Sequence, residues 1–532
     1  MLRLTLLTSL FVSSALAASA DQWRNRSIYQ ARLLTDRFAT PDGSSPPCDT
    51  SQRQYCGGTW QGIVKKLDYV QNMGFDAVWI SPIVANVEGN TSYGEAYHGY
   101  WTQNINALNS HFGTADDLKA LSSALHGRGM YLMVDVVVNH MAGTSDPPNF
   151  SAFQPFSSQS DFHPECFVVN YDNQTEVEQC WLGDKNVPLV DVNTEDSNIV
   201  STMNSWVSTL VSNFSVDGVR IDTVKHVRKD FWPEFAKSSG VFTIGEVLHN
   251  ETGYVSAYTQ VIDSVLDYPT WFPLVAAFQT TGGNLSALAT TVEQAQSSYK
   301  NGEFMSGSFL ENHDQPRFQS LTQDNALIRN AMTWPFVQDG IPIMYYGQEQ
   351  SYGGGADPAN REALWLSGYV EDKPLVKDVQ ALNGARKAAI SANSNYLTTA
   401  VKFLSTGSES TMAVSKPPML ALLTNGGSSS TPSWSIPNAG YQANEELVDV
   451  LTCNKLNADG NGGVSVQGSG GSPQVLMPTS SLNKSGGVCS GVATSGQASS
   501  ARGWFGDSLQ SLPVIAALLF AGWAAQSSLI IA

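Results

Sequence analysis

Basic residues are scarce in this chain of 532 residues: Lys and Arg together number 29, against 47 Asp and Glu. The resulting formal net charge of −18 would repel a phosphate backbone, so nucleic acid is not expected as a partner. We attribute the excess of acid to solubility rather than to any one site. Hydrophobic residues make up 42% of the chain, which is enough for a large core, and the length allows several domains.

No C-x-x-C spacing occurs among the six cysteines, which argues against a zinc site, although zinc ligation is the alternative. The cysteines fall into three pairs that are close in sequence, and their spacing alone does not establish connectivity. We predict three disulfides: Cys48 with Cys56, Cys166 with Cys180, and Cys453 with Cys489.

The first twenty residues have the pattern of a secretory signal. Arg3 precedes an apolar run over residues 4–16, and small residues around Ala17 and Ala20 offer cleavage points. We therefore predict a signal peptide over residues 1–20 and a mature chain that enters an oxidising compartment.

No Lys or Arg follows the apolar run over residues 512–532, so the positive flank that favours a transmembrane helix is missing. The small residues Ser499, Ser500 and Ala501 precede it with a spacer of about ten residues, as in a GPI attachment signal. We predict a Ser/Gly tether and GPI attachment signal over residues 491–532, and a lipid-anchored protein at the plasma membrane or cell wall, or released from it. A plain transmembrane tail is the alternative.

Strand-like apolar runs alternate with helical patterns through most of the chain. Eight such runs predict a closed (β/α)8 barrel, with an open doubly wound sheet as the alternative. Polar residues recur at the carboxyl ends of these runs, where barrel enzymes carry their sites. The predicted strands lie within residues 27–38, 76–82, 130–139, 217–222, 241–247, 264–268, 307–312 and 341–346.

Two further regions depart from this pattern. The link after Asn139 is too long for a structureless loop and predicts a small inserted domain. Beyond about residue 395, short alternating runs between Gly, Ser and Pro clusters predict an antiparallel β-sandwich. The predicted domains are the catalytic barrel over 21–138 and 196–394, inserted domain B over 139–195 and the C-terminal sandwich over 395–490.

The segment of residues 217–226 reads as a buried strand that runs into a polar loop. Val219 and Ile221 alternate with Arg220 and Asp222, so the last two share a face of the strand. A permanent cation favours the ionised form of its carboxylate neighbour, and a held carboxylate suits a nucleophile. A structural ion pair is the alternative.

Three acids stand at the ends of three of the predicted strands: Asp222, Glu246 and Asp314, the last directly after His313. Glycoside hydrolysis needs two carboxyl groups across the scissile bond. Glu246 emerges from an apolar strand, and partial burial there would favour its protonated form, as a general acid requires. Asp314 and His313 could hold sugar hydroxyls and stabilise positive charge in the transition state.

These residues lie in segments that resemble the four signature regions of the α-amylase family of glycoside hydrolases. Further segments resemble secreted fungal α-amylases of the Taka-amylase type, and the resemblance covers roughly residues 21–490. The signature-like segments are residues 135–140, 217–226, 244–247 and 309–314, and the further ones are residues 55–62, 96–101 and 357–362.

The resemblance implies a role for each matching residue. Asp222 would be the nucleophile, Glu246 the general acid and then base, and Asp314 the stabiliser of the transition state. Lys225 and His226 would lie on the acceptor side, which receives the leaving part of the glucan. The implied donor-side residues are Tyr100, Trp101, His140, Arg220, His313, Asp357 and Arg361.

The resemblance also implies a structural calcium between the barrel and the inserted domain. Oxygen ligands suit this hard cation. The matching ligands are Asn139, Glu178, Asp191 and the main-chain carbonyl of His226.

The predicted activity is retaining endo-hydrolysis of α-1,4-glucosidic bonds in starch, glycogen or maltooligosaccharides by a monomer. The alternative is a 4-α-glucanotransferase that acts in cell-wall α-glucan formation, because anchored fungal relatives include such enzymes. Several of those have lost the histidines that match His140 and His313, which this chain keeps. A catalytically silent glucan-binding protein is a third interpretation, and its expected signature is the loss of a catalytic carboxylate.

Sequons for N-glycosylation occur at eight positions and agree with secretion. One of them, at Asn250, follows Glu246 closely, where His249 and Asn250 depart from the fungal pattern. We hypothesise altered acceptor subsites there, with a glycan that crowds long acceptors. The sequon asparagines are Asn25, Asn90, Asn149, Asn173, Asn213, Asn250, Asn284 and Asn483.

Overall fold

The computed structural model describes residues 20–30, 35–408, 410–482 and 488–489. The predicted signal peptide up to residue 19, together with the predicted tether and GPI attachment signal, lies outside the described residues. Within the described ranges, none of the helices combines the length and apolar character that a bilayer crossing requires.

Eight parallel strands form a barrel in which neighbours in the sheet are mostly neighbours in the chain. Their order is β6-β5-β4-β3-β2-β1-β8-β7, and a parallel bridge between Leu266 and Gly307 brings the two outer strands together. The predicted barrel is confirmed. The strands are Ile28–Gln30 (β1), Ala77–Ile80 (β2), Tyr131–Val136 (β3), Gly218–Ile221 (β4), Phe242–Gly245 (β5), Ser264–Val265 (β6), Gly307–Ser308 (β7) and Ile341–Tyr345 (β8).

Apolar side chains from opposite strands fill the barrel, among them Trp79, Met133, Ile244 and Ile343. Because the strands are parallel, their carboxyl ends all open at one face. Close packing also leaves no room for a side chain at position 218, because a Cβ on Gly218 would lie 2.7 Å from the Trp23 ring.

Helices cover the outside of the barrel and place their apolar residues toward the strands. Ala115–His126, for example, begins with a capping box between Thr114 and Asp117 and buries three leucines. Over all the described residues, including the inserted segment and the C-terminal part, the helices are Ala20–Trp23, Thr35–Phe38, Trp60–Lys65, Leu67–Asn72, Ala115–His126, Gln174–Gln179, Ser197–Phe214, Trp232–Ser239, Thr252–Ser256, Tyr268–Phe278, Leu285–Ser298, Phe318–Leu321, Asn325–Val337, Pro374–Ala392 and Thr479–Leu482.

The first predicted strand, residues 27–38, is wrong at its carboxyl end: among the residues described there, Ile28–Gln30 is a strand and Thr35–Phe38 is a helical turn. The Asp36 carboxylate accepts the backbone N–H groups of Cys56 at 2.8 Å and Gly57 at 2.9 Å. These long-range hydrogen bonds override the strand propensity of the local sequence. Residues 31–34 lie outside the described residues.

The segment between β3 and the helix Ser197–Phe214 contains its own antiparallel sheet of three short strands, His140–Ala142, Leu182–Gly183 and Pro188–Asp191. Two further strands, Val84–Asn86 and Thr102–Leu108, pair after β2. The three predicted disulfides are confirmed, and one of them, between Cys166 and Cys180, closes a loop in this segment.

The C-terminal part is antiparallel, as predicted. Trp434 and Ile436, from a two-stranded sheet, pack with Leu420 and Leu422 from a sheet of six. The strands of the larger sheet, in spatial order, are Lys402–Ser408, Thr411–Lys416, Met419–Thr424, Gln474–Pro478, Glu446–Asp449 and Lys455–Asn457, and those of the smaller sheet are Ser433–Ile436 and Val464–Gln467.

A buried ion pair joins this part to the base of the barrel. The Asp339 carboxylate, just before β8, accepts from Lys416 Nζ, from Gln296 Nε2 at 2.9 Å and from the backbone N–H of Val401. Lys416 Nζ also donates to the carbonyl of Thr399 at 2.8 Å. With Lys416 removed, the buried carboxylate would lose its cation.

Candidate active site

Arg220 is fully buried at the carboxyl face of the barrel, where it donates to three carboxylates. Its Nη1 lies 3.0 Å from Asp135 and 2.5 Å from Asp222, and its Nη2 lies 2.7 Å from Glu246. Asp222 directly follows β4 and Glu246 directly follows β5. Because one planar guanidinium serves both, the two carboxyl groups are held within a few ångströms of each other.

The carboxylates keep this buried guanidinium charged. Burial alone would lower the pKa of Arg220, but the charges of Asp135, Glu246 and Asp222 raise it well above its ordinary value. Arg220 is therefore a permanent cation in a site that water barely reaches.

The backbone after β4 adds a further donor. Thr223 has a φ of 48°, in the left-handed region, which non-glycine residues seldom adopt. Its N–H donates to Glu246 Oε2 at 3.2 Å, and the next N–H, of Val224, donates to the Glu246 carbonyl at 3.0 Å. The turn that follows Asp222 thus also orients Glu246.

Asp314 is the most accessible of the three predicted catalytic acids: its side chain is 26% exposed, against 7% for Asp222 and 10% for Glu246. His313 Nε2 lies 2.9 Å from its carboxylate, and Arg361 Nη2 lies 4.0 Å away. Asp314 therefore lies at the mouth of the site.

A second cluster of charge supports the mouth. Arg361 Nη1 pairs with Asp357 at 2.8 Å, and Arg53 pairs with the other oxygen of Asp357 at 3.0 Å. Arg361 Nε also donates to the carbonyl of His313 at 3.3 Å. The predicted residues Asp357 and Arg361 thus hold the segment that carries Asp314.

Tyr100 lies between Asp135, in the buried cluster around Arg220, and His313, at the mouth of the site. Its hydroxyl donates to Asp135 at 2.9 Å, and its ring is parallel to that of His313, with 5.5 Å between centroids. Trp101 is different: it is 1% exposed and packs edge-on against His98. This placement leaves no face of Trp101 open to a sugar, and its part in the site stays a prediction.

His140 is buried beside Tyr100 and has a fixed tautomer. Its Nε2 lies 3.1 Å from the Tyr100 carbonyl, which can only accept, so Nε2 carries the proton. Burial lowers the pKa of His140 to about 4, so the ring is neutral and Nδ1 is an acceptor. Asn139 Nδ2 donates to this Nδ1 at 3.3 Å.

This tautomer determines the orientation of the Asn139 amide. With Nδ2 toward His140, Oδ1 faces the His226 carbonyl and Asp191 Oδ2, each at 3.0 Å. A reversed amide would donate to both oxygens, but it would turn its own oxygen toward the unprotonated Nδ1 of His140. Three oxygens without a hydrogen between them are suited to a hard cation.

Glu178, the fourth predicted calcium ligand, has a different partner from the three oxygens of Asn139, Asp191 and the His226 carbonyl. Its carboxylate accepts Gln174 Nε2 at 2.6 Å. It does lie on the helix Gln174–Gln179, which also carries Val177, and the Val177 carbonyl accepts His226 Nδ1 at 3.0 Å. The described residues contain no cluster of three or more His, Cys, Asp or Glu side chains arranged to hold a metal. The oxygen cluster of Asn139, Asp191 and the His226 carbonyl does not depend on such a cluster, because two of its oxygens come from an amide and a main-chain carbonyl.

Lys225 and His226 lie in the short turn after β4. Lys225 Nζ donates to the Leu248 carbonyl at 2.9 Å and lies 5.1 Å from the ring centre of Tyr171. His226 is buried, and burial followed by the charge of Lys225 lowers its pKa to about 3. The predicted acceptor-side residues are therefore together, although His226 faces inward.

Two residues of this site were missed in the sequence. Asp135 links Arg220 to Tyr100, and its position at the head of the DVVVNH segment was the available signal. Tyr171, which is 37% exposed beside Lys225, lies in a loop with no motif, and only tertiary structure identifies it.

Acids at the carboxyl ends of barrel strands, two of them on one buried cation and a third at the mouth, are typical of a carboxylate-dependent glycoside hydrolase. Profile comparison agrees: the "Alpha amylase, catalytic domain" family matches residues 32–373, and "Alpha-amylase, domain C" matches residues 404–497. The chain belongs to the α-amylase family of glycoside hydrolases.

Individual relatives extend this similarity over most of the chain. An "Alpha-amylase" of Saccharomycopsis fibuligera is 45% identical over 86% of this chain and 92% of its own length. "Alpha-amylase 1" of Schwanniomyces occidentalis is 45% identical over 89% and 93%. The solved structure of an α-amylase from Malbranchea cinnamomea superposes with a TM-score of 0.86, at 44% identity, over 89% of this chain and all of the other.

Replacement of Arg220 by Lys tests the bridging role of the guanidinium. A lysine is a point charge that cannot hold two carboxylates in one plane, so we expect kcat to fall by about 10²- to 10³-fold. Kinetics on a soluble glucan, with circular dichroism to check the fold, provide the measurement. Arg329→Lys is the matched control, because Arg329 forms a bidentate pair with Asp378 between two outer helices. Equal kcat values for the two variants would contradict the role of Arg220.

Proposed function

We propose that this protein hydrolyses internal α-1,4-glucosidic bonds of starch, glycogen or maltooligosaccharides with retention of configuration. The observation that carries the proposal is the sharing of Arg220 by Asp222 and Glu246. Retaining glycosidases need their two carboxyl groups about 5–5.5 Å apart, which a shared guanidinium supports. The names of the relatives support the glucan as substrate.

In the first step, an Asp222 oxygen attacks the anomeric carbon while Glu246 gives its proton to the glycosidic oxygen. The bond from this carbon to the leaving glucan breaks, and a glucosyl ester forms on Asp222. Glu246, now a carboxylate, takes a proton from water, and the water oxygen attacks the same carbon and releases Asp222. Both carboxyl groups thereby return to their starting states.

The surrounding residues bind and position the sugar. Asp314, at the mouth, is placed to accept from sugar hydroxyls and to stabilise positive charge at the anomeric carbon. His313 and His140 are placed beside Tyr100, whose ring suits the apolar face of a sugar. Lys225 and Tyr171 line the side on which the leaving glucan departs.

Glu246→Gln tests the general acid. The amide keeps the shape of the side chain but has no acidic proton, so we expect kcat on starch to fall by about 10²- to 10⁴-fold. Glu234→Gln, on the exposed face of the helix Trp232–Ser239, is the control. Unchanged starch cleavage by Glu246→Gln would refute the role.

Maltopentaose products show which reaction dominates: short sugars alone indicate hydrolysis, and longer ones indicate glucan transfer.

We also propose that calcium occupies the oxygen cluster formed by Asn139, Asp191 and the His226 carbonyl, with Glu178 as the fourth predicted ligand. The mutual orientation of the three oxygens supports this. Asp191 is also buried, and a divalent cation would compensate a charge that is held away from water. When bound, the ion would join the inserted segment to the barrel near the turn that carries Lys225.

Chelation tests the calcium proposal without reference to activity. Ligand at about 100 times its Kd stabilises the folded state by about 2.7 kcal/mol, so EDTA should lower Tm and added calcium should restore it. Asp191→Asn should lower Tm and remove the EDTA effect, whereas the exposed control Asp116→Asn should retain it. A wild-type Tm that does not respond to EDTA, together with no metal in the purified protein, would exclude the site.

We further propose export and attachment to the cell surface through a GPI lipid. The disulfides, the apolar segment at residues 4–16 and the small residues at 499–501 support this. Mass spectrometry of protein from native membranes should find a lipid at one residue of the triplet and no peptide from residues 512–532. An intact C-terminal peptide on the mature protein would contradict it.

A further inference from the structure

Two of the predicted sequons lie close together beside the site. Asn173 and Asn250 are exposed, and in the described part of the chain neither side chain makes a hydrogen bond. Asn173 stands at the start of the helix Gln174–Gln179 without capping it. Asn250 lies in the loop after Glu246. The threonines that complete the two sequons are Thr175 and Thr252.

Tyr254 links the two sequons in space. Its ring stacks on His249 with 4.2 Å between centroids, and its hydroxyl donates to Gln174 Oε1 at 2.6 Å. His249 precedes Asn250, and Gln174 follows Asn173. The two asparagines, 77 positions apart in sequence, therefore flank a single tyrosine.

Lys225 lies between the same two loops. Its Nζ donates to the carbonyl of Leu248, in the loop of Asn250, and its own carbonyl accepts Gln174 Nε2 at 3.2 Å. Tyr171, two residues before Asn173, is 37% exposed beside it. The side of the site assigned to the leaving glucan is thus bordered by one sequon on each loop.

We propose that N-glycans at Asn173 and Asn250 flank the acceptor side and weaken the binding of glucans that extend far beyond it. The inference rests on the proposed function, which assigns this side to the leaving glucan. In each modification, the asparagine Nδ2 forms a bond to C1 of an oligosaccharide carried on a lipid pyrophosphate. The bond from C1 to the pyrophosphate breaks, the pyrophosphate departs with its electron pair, and the amide loses one proton.

The restriction is steric and depends on substrate length. A glycan is bulky and hydrated, and two of them on loops that meet at Tyr254 would occupy the space in front of Lys225 and Tyr171. A maltooligosaccharide that ends near Lys225 does not enter that space. A polymer that continues beyond it must displace the glycans, so its binding weakens while the chemistry at Asp222 is unchanged.

The experiment compares kcat/KM for amylose with kcat/KM for maltopentaose, using the full secreted protein from a glycosylating host. For Asn173→Gln combined with Asn250→Gln, we expect the amylose to maltopentaose ratio to rise at least about threefold, with maltopentaose kinetics unchanged. Asn213→Gln is the matched control, because Asn213 lies in the last turn of the helix Ser197–Phe214, at the opposite end of the barrel. The amylose to maltopentaose ratio of this variant should equal that of the wild-type enzyme.

A second measurement avoids substitution altogether, in case the double variant does not fold. Endoglycosidase trimming of the folded wild-type enzyme should raise the ratio in the same direction, and peptide mass spectrometry should find glycans at both asparagines. Two unmodified asparagines, or a ratio that neither trimming nor substitution changes, would overturn the inference. If no form cleaves maltopentaose, the proposed function itself fails, which is a distinct result.

Discussion

The site depends on one buried positive charge. Arg220 has no contact with solvent and is the common partner of Asp135, Asp222 and Glu246. Three carboxyl groups lie this close in an apolar barrel because they share one cation, and an unpaired buried charge costs several kcal/mol. The strands supply the geometry: β3, β4 and β5 are neighbours in the sheet, so their carboxyl ends present the acids to one guanidinium.

The same region links the residues proposed to bind substrate to the inserted segment. The Tyr100 carbonyl determines the proton position on His140, and His140 in turn orients the amide of Asn139. The oxygen of that amide then faces Asp191 and the carbonyl of His226. A hydrogen-bond chain of this kind means that the proposed donor side and the oxygens proposed to bind calcium share one set of orientations, and neither is independent of the other.

Much of this arrangement is readable in the sequence, because it is carried by local patterns. Strand periodicity predicts the eight barrel strands, and the position of Asp222 and Glu246 directly after two of them predicts where they meet. Thr35–Phe38 could not be predicted as a helical turn, because its cause is the contact of Asp36 with Cys56 and Gly57. The burial of Trp101 and the position of Tyr171 beside Lys225 likewise arise from packing between distant segments.

The buried pair of Asp339 and Lys416 bears on modularity. Family comparison divides the chain into a catalytic and a C-terminal unit, and the predicted catalytic residues all belong to the first. Yet Asp339, at the base of β8, takes both its cation and a backbone donor from beyond residue 400. A truncated barrel would leave Asp339 without its cation and without the backbone donor of Val401. The C-terminal unit therefore stabilises the barrel. A chimaera in which this unit is replaced by that of another protein must also replace Asp339 by a neutral residue or supply a new cation for it.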